Sequence, residues 1–201
     1  MPPEPRLVPR FAAEPPQELL PYGRWADQLR EEFLAAAADL EDVGEPGEVV
    51  FYPDRTWHGR TWIPATAPTS SGLELVGFVS FRPSADGGEP TAFTAEADAT
   101  EETAAQHPEW KLDLNDEVVG SWRGEEGQVA AMTLVWGTPL VPGGALATAE
   151  LADLAVDQCL LREGRFTLVA PDDYRGDLLD IKLFNDRGDE LARESLYDDE
   201  D

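Results

Sequence analysis

The sequence predicts a mainly β protein: an antiparallel β-sandwich or barrel of about nine or ten strands, with an N-terminal amphipathic helix and one short helix near 147–156. Three observations carry that expectation. Beyond residue 46 apolar residues recur with a period of two, the spacing of a half-buried strand. Short Gly-, Pro-, Asn- and Asp-rich turn signals separate most of these runs. No regular alternation of strands with helices occurs, which argues against a doubly wound parallel sheet.

Prolines 2, 3, 5, 9, 15, 16 and 21 crowd the first stretch of chain. Proline lacks the N–H donor and fixes φ, so residues 1–23 are expected to be an extended arm. Residues 24–42 read as a helix, because Trp25, Leu29, Phe33, Ala36 and Leu40 fall on one face and Arg30, Glu31, Glu32 and Asp39 on the other. Gly44 and Pro46 should end it.

Strand-like runs follow. Glu48–Tyr52 is short and apolar, and Thr56–Ile63 is rich in β-branched and aromatic residues. Leu73–Phe81 alternates with both faces partly apolar, as an interior strand does, whereas Phe93–Thr100 alternates cleanly and keeps one wet face. Trp110–Leu114 is a further short strand. Val118–Arg123 and Gln128–Gly137 read as a hairpin around a Gly124–Gly127 turn. Pro139, Pro142, Gly143 and Gly144 then break the pattern, and Ala147–Val156 is expected to be helical with Leu151 and Leu154 inward. Gln158–Arg162 and Arg165–Ala170 flank the Glu163-Gly164 turn signal. Leu179–Leu183 alternates, and Glu190–Tyr197 either completes a hairpin or forms a terminal helix. The domain plan is therefore an arm over 1–23, a single β-rich domain over 24–197, and an acidic tail over 198–201.

Charge excludes whole classes of partner. The chain holds 41 acidic and 15 basic residues, for a formal net charge of −26 and a pI near 4.1. Such a surface cannot replace the counterions of a nucleic acid, and an anionic membrane leaflet repels it. Residues 1–100 hold 17 of the acids and seven of the bases, so the excess is spread along the chain rather than held in one block. Lysine occurs only at 111 and 182, a bias toward arginine that fits GC-rich coding or a high-salt interior. No apolar run is long enough to span a bilayer, the first residues lack a signal-peptide pattern, and Cys159 is the only cysteine, so a cytoplasmic location is expected.

The chemistry-bearing motifs are few. Cys159 lies in an apolar run, no Gly-x-Ser-x-Gly elbow occurs, and Ser70-Ser71-Gly72 reads as a loop. His58 and His107 each lack a second ligand at metal-binding spacing. The paired acids Glu101-Glu102, Glu125-Glu126 and Asp172-Asp173 point to opposite faces if they lie on strands. No catalytic residue and no metal ligand is expected. The one distinctive cluster is Tyr52-Pro-Asp-Arg-Thr-Trp-His-Gly-Arg-Thr-Trp62. An unbroken strand would place Thr56, His58, Arg60 and Trp62 on one face. Trp57, His58, Arg60 and Trp62, with Arg55, are the candidate ligand-binding residues, since tryptophan beside arginine and histidine can stack on and hydrogen-bond an anionic or planar ligand.

Gly120-Ser-Trp122-Arg-Gly124, followed by Gly127, resembles the Gly-x-Trp-x-Gly strand of nitrobindin and related calycin-type barrels. The resemblance covers residues 120–127 and would imply a barrel that binds haem or a small apolar ligand. That family carries a haem-binding histidine near the C-terminus, and no histidine follows His107 here. No cofactor is therefore expected.

Three functions compete. The first is a non-catalytic interaction protein whose acidic surface takes a protein partner, with a basic one favoured by charge. The second is a small-molecule-binding sandwich or barrel, enzymatic or not, that uses the 56–62 strand. The third is a structural or assembly subunit whose arm lies across a neighbour.

Overall fold

The computed structural model describes residues 22–124, 127–172 and 176–197. Of the predicted arm over 1–23, residues 1–21 lie outside them, as does the acidic tail over 198–201, while residues 22–23 open a helix rather than extending the arm. The described chain is mostly strand, with one helix, and its strands form three antiparallel sheets rather than a closed barrel. It divides into two compact units that meet in sequence at Asp113 and Leu114.

The first unit pairs a helix with a sheet. Helix α1, Tyr22–Ala37, is followed by β1 (Val50–Phe51), β2 (Arg55–Trp57), β3 (Arg60–Pro68), β4 (Glu74–Arg82) and β5 (Thr91–Thr100). The sheet order is β1-β3-β4-β5, with β2 also pairing β3. Leu29 and Phe33, on the predicted helix stripe, are fully buried against Ile63, Ala65, Ala67, Leu75, Val79 and Phe81. Each such side chain contributes about 1.5–3 kcal/mol of burial free energy. Small residues on the sheet make room for the helix: Ala65, Gly77 and Ala97 align across β3, β4 and β5. A Cβ on Gly77 would lie 2.0 Å from the Glu96 carbonyl oxygen, so only glycine permits that approach.

The helix ends at Ala37 rather than 42, and the chain leaves it through tight turns in which Leu40 N–H donates to the Ala37 carbonyl. Asp42 and Gly44 then adopt positive φ. The Ser70-Ser71 loop holds this segment: Ser71 Oγ donates to the Val43 carbonyl at 2.5 Å, and Ser70 Oγ accepts from Glu45 N–H at 2.8 Å.

The unit boundary falls inside β6 (Leu112–Arg123), and the second unit holds that strand from Leu114 on, with β7 (Val129–Pro139), β8 (Leu146–Leu151), β9 (Leu154–Leu160), β10 (Phe166–Asp172), β11 (Asp180–Phe184) and β12 (Glu190–Ser195). They form two sheets, β10-β7-β6 and β12-β11-β8-β9. β10 packs on β8 and β9, and Val169 N–H donates to Asp157 on β9 at 2.9 Å. The expected helix over 147–156 is instead a hairpin. Ala147, Ala149 and Leu151 line one face of β8 and Thr148 and Glu150 the other, a period of two that the flanking alanines disguised as helix. Its turn is Ala152-Asp153, both at positive φ, a geometry that glycine or asparagine usually supplies. The predicted strands at 110–114 and 118–123 merge into one, because Asn115, Asp116 and Glu117 continue β6 instead of breaking it. Residues 190–195 are strand, paired with β11 from Asp180↔Ser195 to Phe184↔Glu190. Twelve strands are thus described where about nine or ten were expected.

Candidate functional site

The Tyr52–Trp62 cluster forms a hairpin. His58 and Gly59 both have positive φ, at 52° and 73°, and make a two-residue turn between β2 and β3. Paired φ values of this sign match the right-handed twist of the flanking strands. The turn changes which side chains share a face. Cross-strand partners are Arg55↔Trp62, Thr56↔Thr61 and Trp57↔Arg60. Side chains directly opposite one another in an antiparallel pair point to the same side, so Arg55, Trp57, Arg60 and Trp62 form one face. Thr56, expected with Arg60 and Trp62, is on the other, where its hydroxyl meets that of Thr61 at 2.7 Å. His58 leaves the strand face altogether and is exposed at the turn.

The Trp57 and Trp62 rings are 6.3 Å apart, and the His58 ring lies 5.6 Å from Trp57. Trp62 and Arg55 are buried, whereas Trp57 and Arg60 are half-buried. The Arg60 guanidinium spans the sheet through one nitrogen. It donates to Ser80 Oγ at 2.8 Å, to the Ala92 carbonyl at 3.1 Å and to Thr94 Oγ1 at 3.4 Å. Ser80 and Thr94 also join each other at 2.7 Å. Ala92 has φ 54° in a β-bulge opposite Phe81, and its carbonyl is the one that Arg60 reaches.

The other histidine belongs to a separate surface feature. His107 stacks on Trp110, with ring centroids 4.2 Å apart and planes 5° from parallel, and its Nδ1 lies 3.1 Å from Glu109. The backbone hydrogen bond to Glu109 and its contact with His107 hold the Glu109 carboxyl below its ordinary range.

Two polar clusters were not singled out from the sequence. On one face of the β8–β11–β12 sheet, Lys182 Nζ pairs with Glu150 at 2.5 Å, both side chains being more than nine-tenths buried. Thr148 donates to the same carboxylate at 3.0 Å, and Arg193 lies 3.4 Å from Glu190. Reading 147–156 as helix hid the alternation that aligns Thr148 with Glu150. In the second cluster, the buried Asp172 carboxylate accepts from Leu179 N–H at 3.0 Å and from the Tyr197 hydroxyl. Burial, and then the charge of Asp172, pushes the Asp116 carboxyl up. Residue spacing carries no signal for this cluster, because its members come from β6, β10, the residue before β11 and the segment after β12.

Among the described residues no group of three or more His, Cys, Asp or Glu side chains could hold a metal ion, and no helix is long and apolar enough to cross a membrane. Cys159 is buried on β9. No family model, curated protein or solved structure matches the chain.

Proposed function

We propose that this chain is a non-catalytic, acidic interaction protein that takes a basic protein partner in the cytoplasm. The observation that carries the reading is the engagement of Arg60. The cation best placed to grip a small anionic ligand is already used inside the fold, on Ser80, Thr94 and the Ala92 carbonyl. That leaves the net charge of −26 as the dominant property offered to a partner. Opposite charge steers association and suppresses wrong partners. Trp57 and the exposed His58 serve as contact points at the hairpin tip, since a half-exposed aromatic ring offers apolar area at low entropic cost. The second unit, with β10 against β8 and β9, is read as sandwich-like.

The same exposed pair supports a second reading, a small planar ligand stacked on Trp57 beside His58. Affinity capture from the native host at low and at high salt separates the two. The interaction reading expects a basic protein retained at low salt and released at high salt. A tryptophan fluorescence change with a small anionic or aromatic compound, lost in Trp57→Ala and insensitive to protein partners, would favour the second.

A further inference from the structure

Strand β5 ends its sheet: among the described residues it pairs with β4 on one side and with no strand on the other. A row of unpaired peptide groups is a template for one more strand. The structure shows how this edge is answered at one point. The N–H of Ala99 is held at 2.7 Å by the carboxylate of Asp98, a side chain standing in for a neighbouring strand. The strand is ten residues long, contains no lysine or proline, and its one irregularity is the bulge at Ala92 near its start.

The two faces of β5 differ in chemistry. Thr94, Glu96 and Asp98 are exposed on one side. Phe93, Ala95, Ala97 and Ala99 are half-buried on the other, packed at the border of the core beneath α1. Glu101 and Glu102 continue the negative charge past the end of the strand. An added strand would therefore meet carboxylates at alternate positions and apolar surface at those between. A second copy of β5 fits this badly, because antiparallel self-pairing sets carboxylates of the two copies on one face, and like charges opposite one another destabilise a strand pair. A strand carrying Lys or Arg at every second residue and apolar side chains between them satisfies both faces.

We infer that the β5 edge is a docking site for an extended basic segment of a partner protein, which adds as a further strand with its cations over Glu96 and Asp98. This rests on the interaction reading proposed above and names the surface that reading left open. Backbone hydrogen bonds supply affinity in such additions, and the alternating side chains supply specificity.

The test uses the full chain and a labelled octapeptide alternating lysine and valine, with three companions: the glutamate–valine version, the lysine–valine peptide N-methylated on alternate backbone nitrogens, and a version with its lysines in one block. Fluorescence anisotropy should show salt-sensitive binding of the first peptide. The N-methylated and block versions should bind at least tenfold more weakly, and the glutamate version not at all. Amide hydrogen exchange should slow at Ala95, Ala97 and Ala99 on binding. The variant E96K/D98K should lose the basic peptide while keeping the wild-type circular dichroism spectrum and melting transition. Equal binding of the N-methylated peptide, or protection confined to residues outside β5, overturns the proposal. Should that occur while a basic host protein is still captured in a salt-sensitive manner, the interaction reading stands and only the β5 assignment falls. If capture fails as well, both fall.

Discussion

Arg60 on β3 reaches across β4 to donate a hydrogen bond to the carbonyl of Ala92 on β5, at 3.1 Å. The acceptor belongs to a residue at φ 54°, where alanine is strained and glycine is not. Arg60 thus ties together three strands and a bulge. Arg60→Ala should lower stability by about 1.5–3 kcal/mol, the range for hydrogen bonds to a charged donor. Ala92→Gly should gain up to about 1 kcal/mol, since the relief of left-handed strain slightly exceeds the entropy that glycine loses. Urea midpoints of the two variants check both signs, and an unchanged midpoint for Arg60→Ala would remove its structural role.

Gly77→Ala should be among the most damaging single changes in the first unit. The new Cβ meets backbone, the Glu96 carbonyl oxygen at 2.0 Å and the Ala97 Cα at 2.9 Å, and backbone cannot swing aside as a side chain can. A loss of about 3 kcal/mol or more is expected, at the upper end for overpacking. Thermal unfolding reads it directly.

The Lys182–Glu150 pair gives a different pattern. Lys182→Ala should cost about 3–5 kcal/mol, because it removes the cation from the buried Glu150 carboxylate, which keeps the hydrogen bond from Thr148. The double variant K182M/E150L should lie near wild-type stability, as replacing both charges with apolar groups often does. A double-mutant cycle in which the two single losses simply add would show that the pair is not coupled.

Glu74 and Asp113 set an acid-side pH dependence. Burial, and then the charge of Asp113, raises the Glu74 carboxyl above its ordinary 4.5, and burial raises Asp113 above 3.8. The folded state therefore holds these protons more tightly than the unfolded chain does. Their contribution favours folding when protonated and is lost as pH rises from those ordinary values through the raised ones. Glu74→Gln should thus raise the melting temperature at pH 7 relative to wild type, and the difference should shrink as pH falls toward 4. A difference constant across that range would exclude Glu74 as the titrating group.

The outline of the fold was legible where one physical constraint dominates a stretch of chain. Leu29 and Phe33 lie at helical spacing and Ala95, Ala97 and Ala99 at strand spacing, and each set does face the core. Alternation is hardest to read where small residues fill both templates, as in Leu146–Leu151, where the same spacing fits a helix and a strand. In the candidate site, residue types and positions were visible but the face they share was not. The turn at His58-Gly59 takes two residues out of the alternation, which brings Arg55 and Trp57 over to the side of Arg60 and Trp62.

Sequence alone determined the charge, the antiparallel β character and the helix stripe, because these follow from composition and from periodicity within single segments. Only the tertiary structure decided that the strands form three open sheets, that Arg60 is consumed by the bulge at Ala92, that Lys182 meets Glu150, and that β5 closes its sheet with a free outer side among the described residues. Each of these depends on which strand lies beside which. That choice is made by packing between segments distant in the chain, and no local spacing records it.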